Sequence, residues 1–592
     1  MTLDQLLAFA VLGGTLAMFI WGKYRYDIVA AMALVVVCLL GLIELDQAIS
    51  GFGNPAVITV AAVLIIGQAL KNSGVVQLIG QKMQPLTVSP VLHVGSMTLL
   101  VAVASAFMNN IGAMAMMLPV AMASCAQRNR SPAILLMPLA FGSLLGGLMT
   151  MIGTPPNILI AQYRAEAVGE SFGMFDFSWV GVPVAIIGVI FVSVIGWRLL
   201  PAERRGKRSP DQLFDIDDYF TEVRVSKSSR LIGMSWGDAG VAMGEDVEIT
   251  SRVNEAGVMA RLDTSAKVKA GDIVILKADP TDLKAVINMF NLTLASETPA
   301  KILEMEAENL VLMEAVVSPG SRIVGRSVAV LERWSGNQLH VLAIARQGQP
   351  IRRRLKEIRI QGGDILLMRG EELDLGEVLN RLSLLPLPER GLKLTSPSRV
   401  WTSLAIFAIA IGVSVSGVLP TAVAFIGAIV AYVMLNILNP RELYSAVDWP
   451  IIVLLGMLIP VGQALENTGA TLLIANGVVA LTDDLPAWTL LVLIMIITMM
   501  LTDVINNAAT VVVMAPIGIS VANVLGASPD PFLMTVAVAA SCAFLTPIGH
   551  QSNTLVMGAG GYHFGDYWRM GLPLEIIIIV TTVPLVLIAW PM

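Results

Sequence analysis

The feature that most constrains this chain is the recurrence, in both its first and last thirds, of apolar runs of bilayer-spanning length. They include Ile28 to Ile43, Val184 to Leu200, Ala422 to Leu438, and Trp488 to Leu501 with its continuation. Hydrocarbon offers a backbone amide no water to bond, so such segments fold as helices. Hydrophobic residues make up 55 % of the sequence and charged ones 14 %, too few charges for a soluble chain of 592 residues. The fold class expected is therefore an α-helical polytopic membrane protein with lipid as its main surroundings. A net charge of −6 has the wrong sign for a nucleic-acid binder. Cys38, Cys125 and Cys542 are too few and too scattered for a disulfide framework or a zinc site, and read as small hydrophobes. The first 26 residues lack a basic leader and a small-residue cleavage site, so they read as a retained first helix. No Walker A, no G-x-G-x-x-G between strand and helix and no H-E-x-x-H is present. The chain is accordingly not read as an enzyme, and no organic cofactor is expected.

Charge divides the chain. From Pro201 to about Leu394 the composition is that of a soluble domain, flanked by the basic segments PAERRGKRSP at 201–210 and PERGLKLTSPSR at 388–399. By the positive-inside rule residues 201–399 are cytoplasmic, between a first membrane repeat at 1–200 and a second at 397–592. Propagating the rule puts Lys23, Arg25, Lys71, Lys82, Arg128 and Arg130 inside and the N-terminus outside, with Arg164 the one exception. Residues 91–123 then form a re-entrant hairpin turning near Asn109 and Asn110, and 131–162 a helix broken at GTPPN. In the second repeat Arg399, Arg441 and Arg569 are inside, Asp483, Asp484 and Asp530 outside, and the hairpin at 486–524 enters from outside. The halves thus have opposite orientation.

Internal repeats support this. GQALKNSGV at 67–75 recurs as GQALENTGA at 462–470, and FMNNIGAMAMMLP recurs as VINNAATVVVMAP. GTPPN, ending at Asn157, faces GHQSN, ending at Asn553, and DFSWVGVP from Asp176 matches DYWRMGLP from Asp566. Four blocks in one order indicate an inverted repeat with re-entrant hairpins and broken helices. The insert has its own duplication: SRLIG precedes GDIVIL and SRIVG precedes GDILLM, with a Ser-to-Gly spacing of 42 residues both times. Two small α+β domains are expected, at 211–297 and 305–388.

Within lipid, unwound backbone is tolerated only where it is buried or lines a cavity. Polar interruptions at corresponding places in both halves therefore point to a transport site. Four qualify: Met108 to Gly112, Ile152 to Asn157, Asp503 to Ala508 and Thr546 to Asn553. An amide side chain carries both donors and an acceptor, so Asn109, Asn110, Asn506 and Asn507 can serve an anion oxygen or a cation's shell. They can equally cap the helices that restart there. Helix N-termini favour an anion, with Thr154, Asn157, His550, Ser552 and Asn553 completing the candidate substrate set. Sodium takes oxygen ligands, for which the candidates are the same four asparagines and the carbonyls of Gly153 and Gly549. Asp503, an acid in an apolar segment, reads as a hydrogen-bonding residue or a proton or sodium group. His550 reads as a hydrogen-bonding residue or a proton carrier.

These residues resemble the divalent-anion/sodium symporter family of the wider ion-transporter superfamily. Its two hairpin tips carry Ser-Asn-Thr before an apolar stretch and a Pro, matched here by NNIGAMAMMLP and NNAATVVVMAP, with Asn110 and Asn507 on the shared Asn. Ser105 and Thr502 match the family's hydroxyl four positions before the motif Ser, and the resemblance adds both to the sodium set. Asn109 and Asn506 replace the motif Ser, and Ile111 and Ala508 the Thr that helps hold a carboxylate, which points away from a dicarboxylate. The insert is similar to tandem TrkA C-terminal domains, found in a sulfate-linked branch where GHQSN and a Gly-rich Tyr segment, here GAGGYHFGDY, are typical. The resemblance implies a homodimeric bacterial inner-membrane symporter, coupled to Na+ and carrying a small dianion, sulfate foremost, by elevator-type movement. It also implies a small regulatory ligand, such as a nucleotide, at the insert. The alternatives are a dicarboxylate or proton-coupled carrier, a membrane anion sensor and a gated channel. No TVGYG-like filter supports a potassium channel.

Overall fold

A computed structural model of the chain describes residues 1–75, 89–128, 130–202, 397–480 and 486–592, with most of 219–294 and 310–386. Lys82, Asp483, Asp484 and the linkers 203–210 and 388–396 lie outside the described residues.

The first half runs through α1 (Leu3–Trp21), α2 (Tyr26–Leu39), α3 (Pro55–Ser73), α4 (Pro90–Ser105), α5 (Asn110–Gln127), α6 (Ala133–Gly147), α7 (Pro155–Val168) and α8 (Ser178–Phe191). Local chemistry sets several ends. Thr2 and Gln5 form a capping box on α1, and Asn54 caps α3 with Pro55 in its first turn. The insert contributes α9 (Trp236–Met243) and α10 (Val328–Trp334). The last part contains α11 (Pro397–Val415), α12 (Thr421–Met434), α13 (Pro440–Ala446), α14 (Trp449–Asn467), α15 (Ala470–Ala480), α16 (Trp488–Thr502), α17 (Asn507–Leu525), α18 (Asp530–Ala540), α19 (Gln551–Ala559) and α20 (Tyr567–Ala589). Six described helical stretches are long and apolar enough to cross a membrane: α1, α3, α14, α17, α8 with its continuation to Leu199, and Phe564–Ala589.

The halves interlock rather than standing side by side. α2 packs on α14, α3 on α12, α7 on α17 and α6 on α19. Every residue of α6 and α18 is buried, so these two helices form the centre of the membrane part. Small residues permit the closest approach: a Cβ on Gly146 of α6 would lie 2.1 Å from the carbonyl oxygen of Ala102 in α4. Arg164, the charge that breaks the positive-inside pattern, is neutralised across the halves. Its Nε and Nη2 donate to the two carboxylate oxygens of Asp530 at 2.8 and 3.0 Å.

The insert holds two five-stranded antiparallel sheets. The first comprises β1 (Tyr219–Val225), β2 (Glu248–Val253), β3 (Met259–Ala260), β4 (Ile273–Ala278) and β5 (Leu292–Leu294) in the order β3-β2-β4-β1-β5. The second comprises β6 (Leu310–Val317), β7 (Leu339–Arg346), β8 (Gln349–Pro350), β9 (Ile365–Glu371) and β10 (Leu384–Pro386) in the order β8-β7-β9-β6-β10, the same topology. Ser229 and Ser321 donate to carbonyls 61 residues further on in each unit, those of Phe290 and Leu382. The second unit touches the membrane helices. A Cβ on Gly558 of α19 would lie 2.1 Å from the carbonyl oxygen of Gly363, in the turn before β9. That turn is fixed by Asp364, which accepts the Gln361 amide at 2.7 Å and pairs with Arg346 at 2.8 and 2.9 Å. The pairing pushes the guanidinium further above its usual range.

Candidate functional site

Both hairpins unwind at equivalent places and are tied the same way. Ser105 Oγ lies 2.7 Å from Asn110 Oδ1 and 2.7 Å from the Ser143 carbonyl of α6. Thr502 Oγ1 lies 3.0 Å from Asn507 Oδ1 and 2.6 Å from the Ala540 carbonyl of α18. The sequence separations are 5 and 38 residues in both halves. A hydroxyl has one hydrogen and cannot donate to both acceptors fully, so the second tip gathers more oxygens than protons, and the first does so only when Asn110 turns Oδ1 inward.

The broken helices are braced by a second equivalent pair. Asn157 Nδ2 donates to the carbonyls of Gly147 at 3.1 Å and Thr150 at 2.8 Å. Asn553 Nδ2 donates to those of Ala543 at 2.8 Å and Thr546 at 3.1 Å. Each amide thereby satisfies two carbonyls that the interrupted helix leaves free. Hydroxyls then fasten each break to its hairpin: Thr150 donates to the Ala106 carbonyl, and Thr546 to that of Asp503 at 2.6 Å. Asp503 Oδ1 accepts the Leu545 amide at 3.0 Å, a hydrogen-bonding role at the second tip.

Of the two settings of the Asn110 amide, only one satisfies its neighbours without a bound ion. With Oδ1 inward it joins Ser105 Oγ, the Ser143 carbonyl and the Gly153 carbonyl in a group of oxygens lacking donors. With the amide turned over, Nδ2 lies 2.7, 3.2 and 3.2 Å from the same three and shares its two hydrogens among them, while Oδ1 faces the His550 Nε2 hydrogen. The first setting suits a cation among the oxygens and the second suits none. Outward, the amide meets His550 Nε2 at 3.4 Å. His550 Nδ1 accepts the Ser552 amide at 3.1 Å and caps α19, which in a neutral ring assigns the hydrogen to Nε2.

All four interruptions open on one cavity of about 320 Å³. Of the residues named from sequence, Asn109, Thr154, Asn506, Asn507, Gly549 and His550 line it. Ser105, Asn110, Gly153, Asn157, Thr502, Ser552 and Asn553 stand behind that lining, in the ties just described or, for Ser552, at the first turn of α19. The cavity wall also contains Arg25, Tyr26 and Gln551, which sequence reasoning did not assign to the site. Arg25 sits where α1 gives way to α2. Its guanidinium pairs with Asp27 at 3.1 and 3.2 Å while its side chain stays 66 % exposed. In the sequence it served only as a topology marker, because nothing local says that the α1–α2 corner folds beneath the hairpin tips. Among the described residues no group of three or more His, Cys, Asp or Glu is arranged to hold a metal ion.

Comparison with known proteins adds the following. The family described as CitMHS, citrate transporter, matches the chain over residues 16–527 and again over 487–592. An uncharacterized transporter of Synechocystis is 30 % identical over 99 % of this chain and 97 % of its own length. A Chlamydomonas reinhardtii protein named for regulation of the sulfur deprivation response is 27 % identical over 95 % of this chain and 98 % of its own. Sodium/sulfate cotransporter 1 of the same alga is 26 % identical over 55 % of this chain and 39 % of its own.

Proposed function

This chain belongs to the citrate transporter family, and from that premise we propose that it carries a small divalent anion, sulfate foremost, together with sodium. It is a multi-pass membrane protein and a secondary transporter. The observation that carries the finer reading is the pair of hydroxyl–amide–carbonyl clusters with identical spacing behind one cavity. The second cluster offers oxygens in excess of hydrogens, and the first does so once the Asn110 amide turns Oδ1 inward, the condition a sodium ion satisfies. Sodium binds first, holds the Asn110 amide with Oδ1 inward, and offsets the anion's charge where the dielectric is low. The dianion then meets the Asn109, Asn506 and Asn507 side chains, the first turns of α7 and α19, and Arg25 as its nearest full positive charge. Oxidised sulfur as cargo fits the name of the sodium/sulfate relative.

In this reading the two halves are inverted repeats, the hairpins are re-entrant, and the hairpins with α6, α7, α18 and α19 form a transport domain. That domain moves past the remaining helices in an elevator-type cycle within a homodimer. Residues 201–399 lie in the cytoplasm as two TrkA-C-like units that take a small regulatory ligand of the nucleotide class. The insert reaches the transport helices through Gly363 and Gly558.

A second cargo is favoured by one observation: about 320 Å³ exceeds what a sulfate fills, leaving room for a di- or tricarboxylate. The deciding experiment is uptake of labelled sulfate by the purified protein in liposomes, with sodium, potassium or proton gradients and with citrate and succinate as competitors. Sodium-driven sulfate accumulation supports the reading. Accumulation of a carboxylate alone transfers it to that cargo, and accumulation under a proton gradient alone removes sodium. Binding without accumulation makes the chain a sensor.

A further inference from the structure

The two hairpin tips carry the same amide but differ in what stands on its outer side. Asn507 keeps Oδ1 3.0 Å from Thr502 Oγ1, lines the cavity, and leaves its buried Nδ2 without a hydrogen-bond partner. Asn110 has His550 Nε2 3.4 Å beyond its outer atom. Because His550 Nδ1 accepts the Ser552 amide, a neutral ring holds its one hydrogen on Nε2 and can only donate there. Three positions before Asn157, where His550 precedes Asn553, the first half has Thr154, whose hydroxyl both donates and accepts. A donor of fixed direction behind the amide thus distinguishes the first tip.

Half a rotation about χ2 exchanges the oxygen and nitrogen of an asparagine with almost no change of shape, so the packing around Asn110, 1 % exposed, permits it. The two settings differ at both ends of the group. With Nδ2 inward, its hydrogens serve Ser105 Oγ and the carbonyls of Ser143 and Gly153, while Oδ1 accepts from His550 Nε2. Oxygen cage and ring hydrogen are then both engaged. With Oδ1 inward, it shares the single Ser105 hydrogen with those carbonyls, and Nδ2 meets the Nε2 hydrogen donor against donor. A cation answers the inner side. An acceptor in the cavity answers the outer side, because His550 lines that cavity. Each ligand stabilises the setting the other needs, so each raises the affinity for the other.

Resting on the sodium and anion reading above, we propose that the Asn110 amide is the coupling switch between the two ligands. Sodium turns Oδ1 inward, and that turn hands the His550 Nε2 hydrogen from Asn110 to an oxygen of the anion. His550 is therefore an anion ligand that becomes available when sodium is bound.

The test is solid-state nitrogen NMR of the full chain in liposomes with isotope-labelled histidine, of which the chain has four. Sodium and sulfate titrations followed by thermal shift accompany it, at fixed pH and with potassium as the control cation. His550→Asn identifies the resonance, and it keeps an oxygen to cap α19 while removing the Nε2 donor. In the wild type the His550 Nε2 signal is expected to move when sodium replaces potassium with no anion present, and to move again when sulfate joins sodium. In His550→Asn, sodium affinity without sulfate is expected to be equal or higher. The factor by which sodium raises sulfate affinity is expected to fall about tenfold or more, the usual effect of one hydrogen bond to a charged group. Charge compensation alone would lower sulfate affinity in the variant equally with and without sodium, leaving that factor intact. An intact factor, or a wild-type Nε2 signal that sodium does not move, overturns the switch. If the melting temperature still responds to sodium, the switch alone has failed; if it does not, the sodium reading has failed with it. The sodium step uses no anion, so it decides the switch whatever the cargo.

Discussion

Four asparagines divide between two tasks that side-chain chemistry alone does not separate. Asn110 and Asn507 sit against a hydroxyl and an excess of carbonyl oxygens, whereas Asn157 and Asn553 each spend both amide hydrogens on carbonyls of a broken helix. Asn110→Ala and Asn507→Ala are therefore expected to abolish sodium-coupled uptake and shrink the sodium-induced thermal shift while the protein stays folded. Losing one ligand to a charged partner costs about 1.5–3 kcal/mol, or more than tenfold in affinity. Asn157→Ala and Asn553→Ala are expected to lower the melting temperature instead, by about 1–3 kcal/mol of stability per site, because two buried carbonyls lose their donor. Sodium titrations followed by thermal shift, run on all four variants, check both outcomes. Unchanged uptake by either Asn110→Ala or Asn507→Ala removes that amide from the site.

At the scale of elements, function depends on contacts made between helices far apart in sequence. The Arg164–Asp530 pair joins the end of α7 to the start of α18, with side-chain exposures of 18 and 13 %. Arg164→Gln leaves the largely buried Asp530 without its partner, an expected loss of about 2–3 kcal/mol. Arg164→Gln with Asp530→Asn should recover more than half of that, and a double-mutant cycle by denaturant unfolding measures it. The second contact joins the insert to α19, the helix that begins at His550. Gly558→Val would drive a side chain into the Gly363 carbonyl. Faster hydrogen exchange at residues 361–364 and an altered uptake rate are expected, with sodium affinity retained. Unchanged exchange at that turn would show that the insert does not rest on α19 in the membrane.

For the whole molecule, the ties that build both hairpins and both broken helices are made within the membrane helices, none of them to the insert. Replacing residues 211–388 by a flexible bridge is thus expected to leave a folded core that still binds sodium, with a changed transport rate. Loss of all substrate binding in a well-folded deletion would make the insert part of the site. The positive-inside reading of the sequence gives an odd number of crossings on each side of the insert, so both termini are expected on the face opposite it. Accessibility labelling of single cysteines near residues 2 and 591 tests this, and reactivity from the cytoplasmic face at either would refute it.

Much of this was fixed by sequence alone, because the physics involved is local or periodic. Hydrocarbon leaves a backbone only helices, so apolar length gave the membrane class, and the NN tips and GTPPN and GHQSN breaks marked where helices stop. The matched spacings told which tip corresponds to which. What the tertiary structure decided is everything that depends on which distant segments meet. The α1–α2 corner brings Arg25 to the cavity, a placement no local pattern encodes. Asn110 and Asn157 look alike as residues; their surroundings separate them, since burial and the oxygens within reach set what an amide binds: Ser105, Ser143 and Gly153 surround the first, with His550 from the other half beside it, whereas Gly147 and Thr150 take both hydrogens of the second.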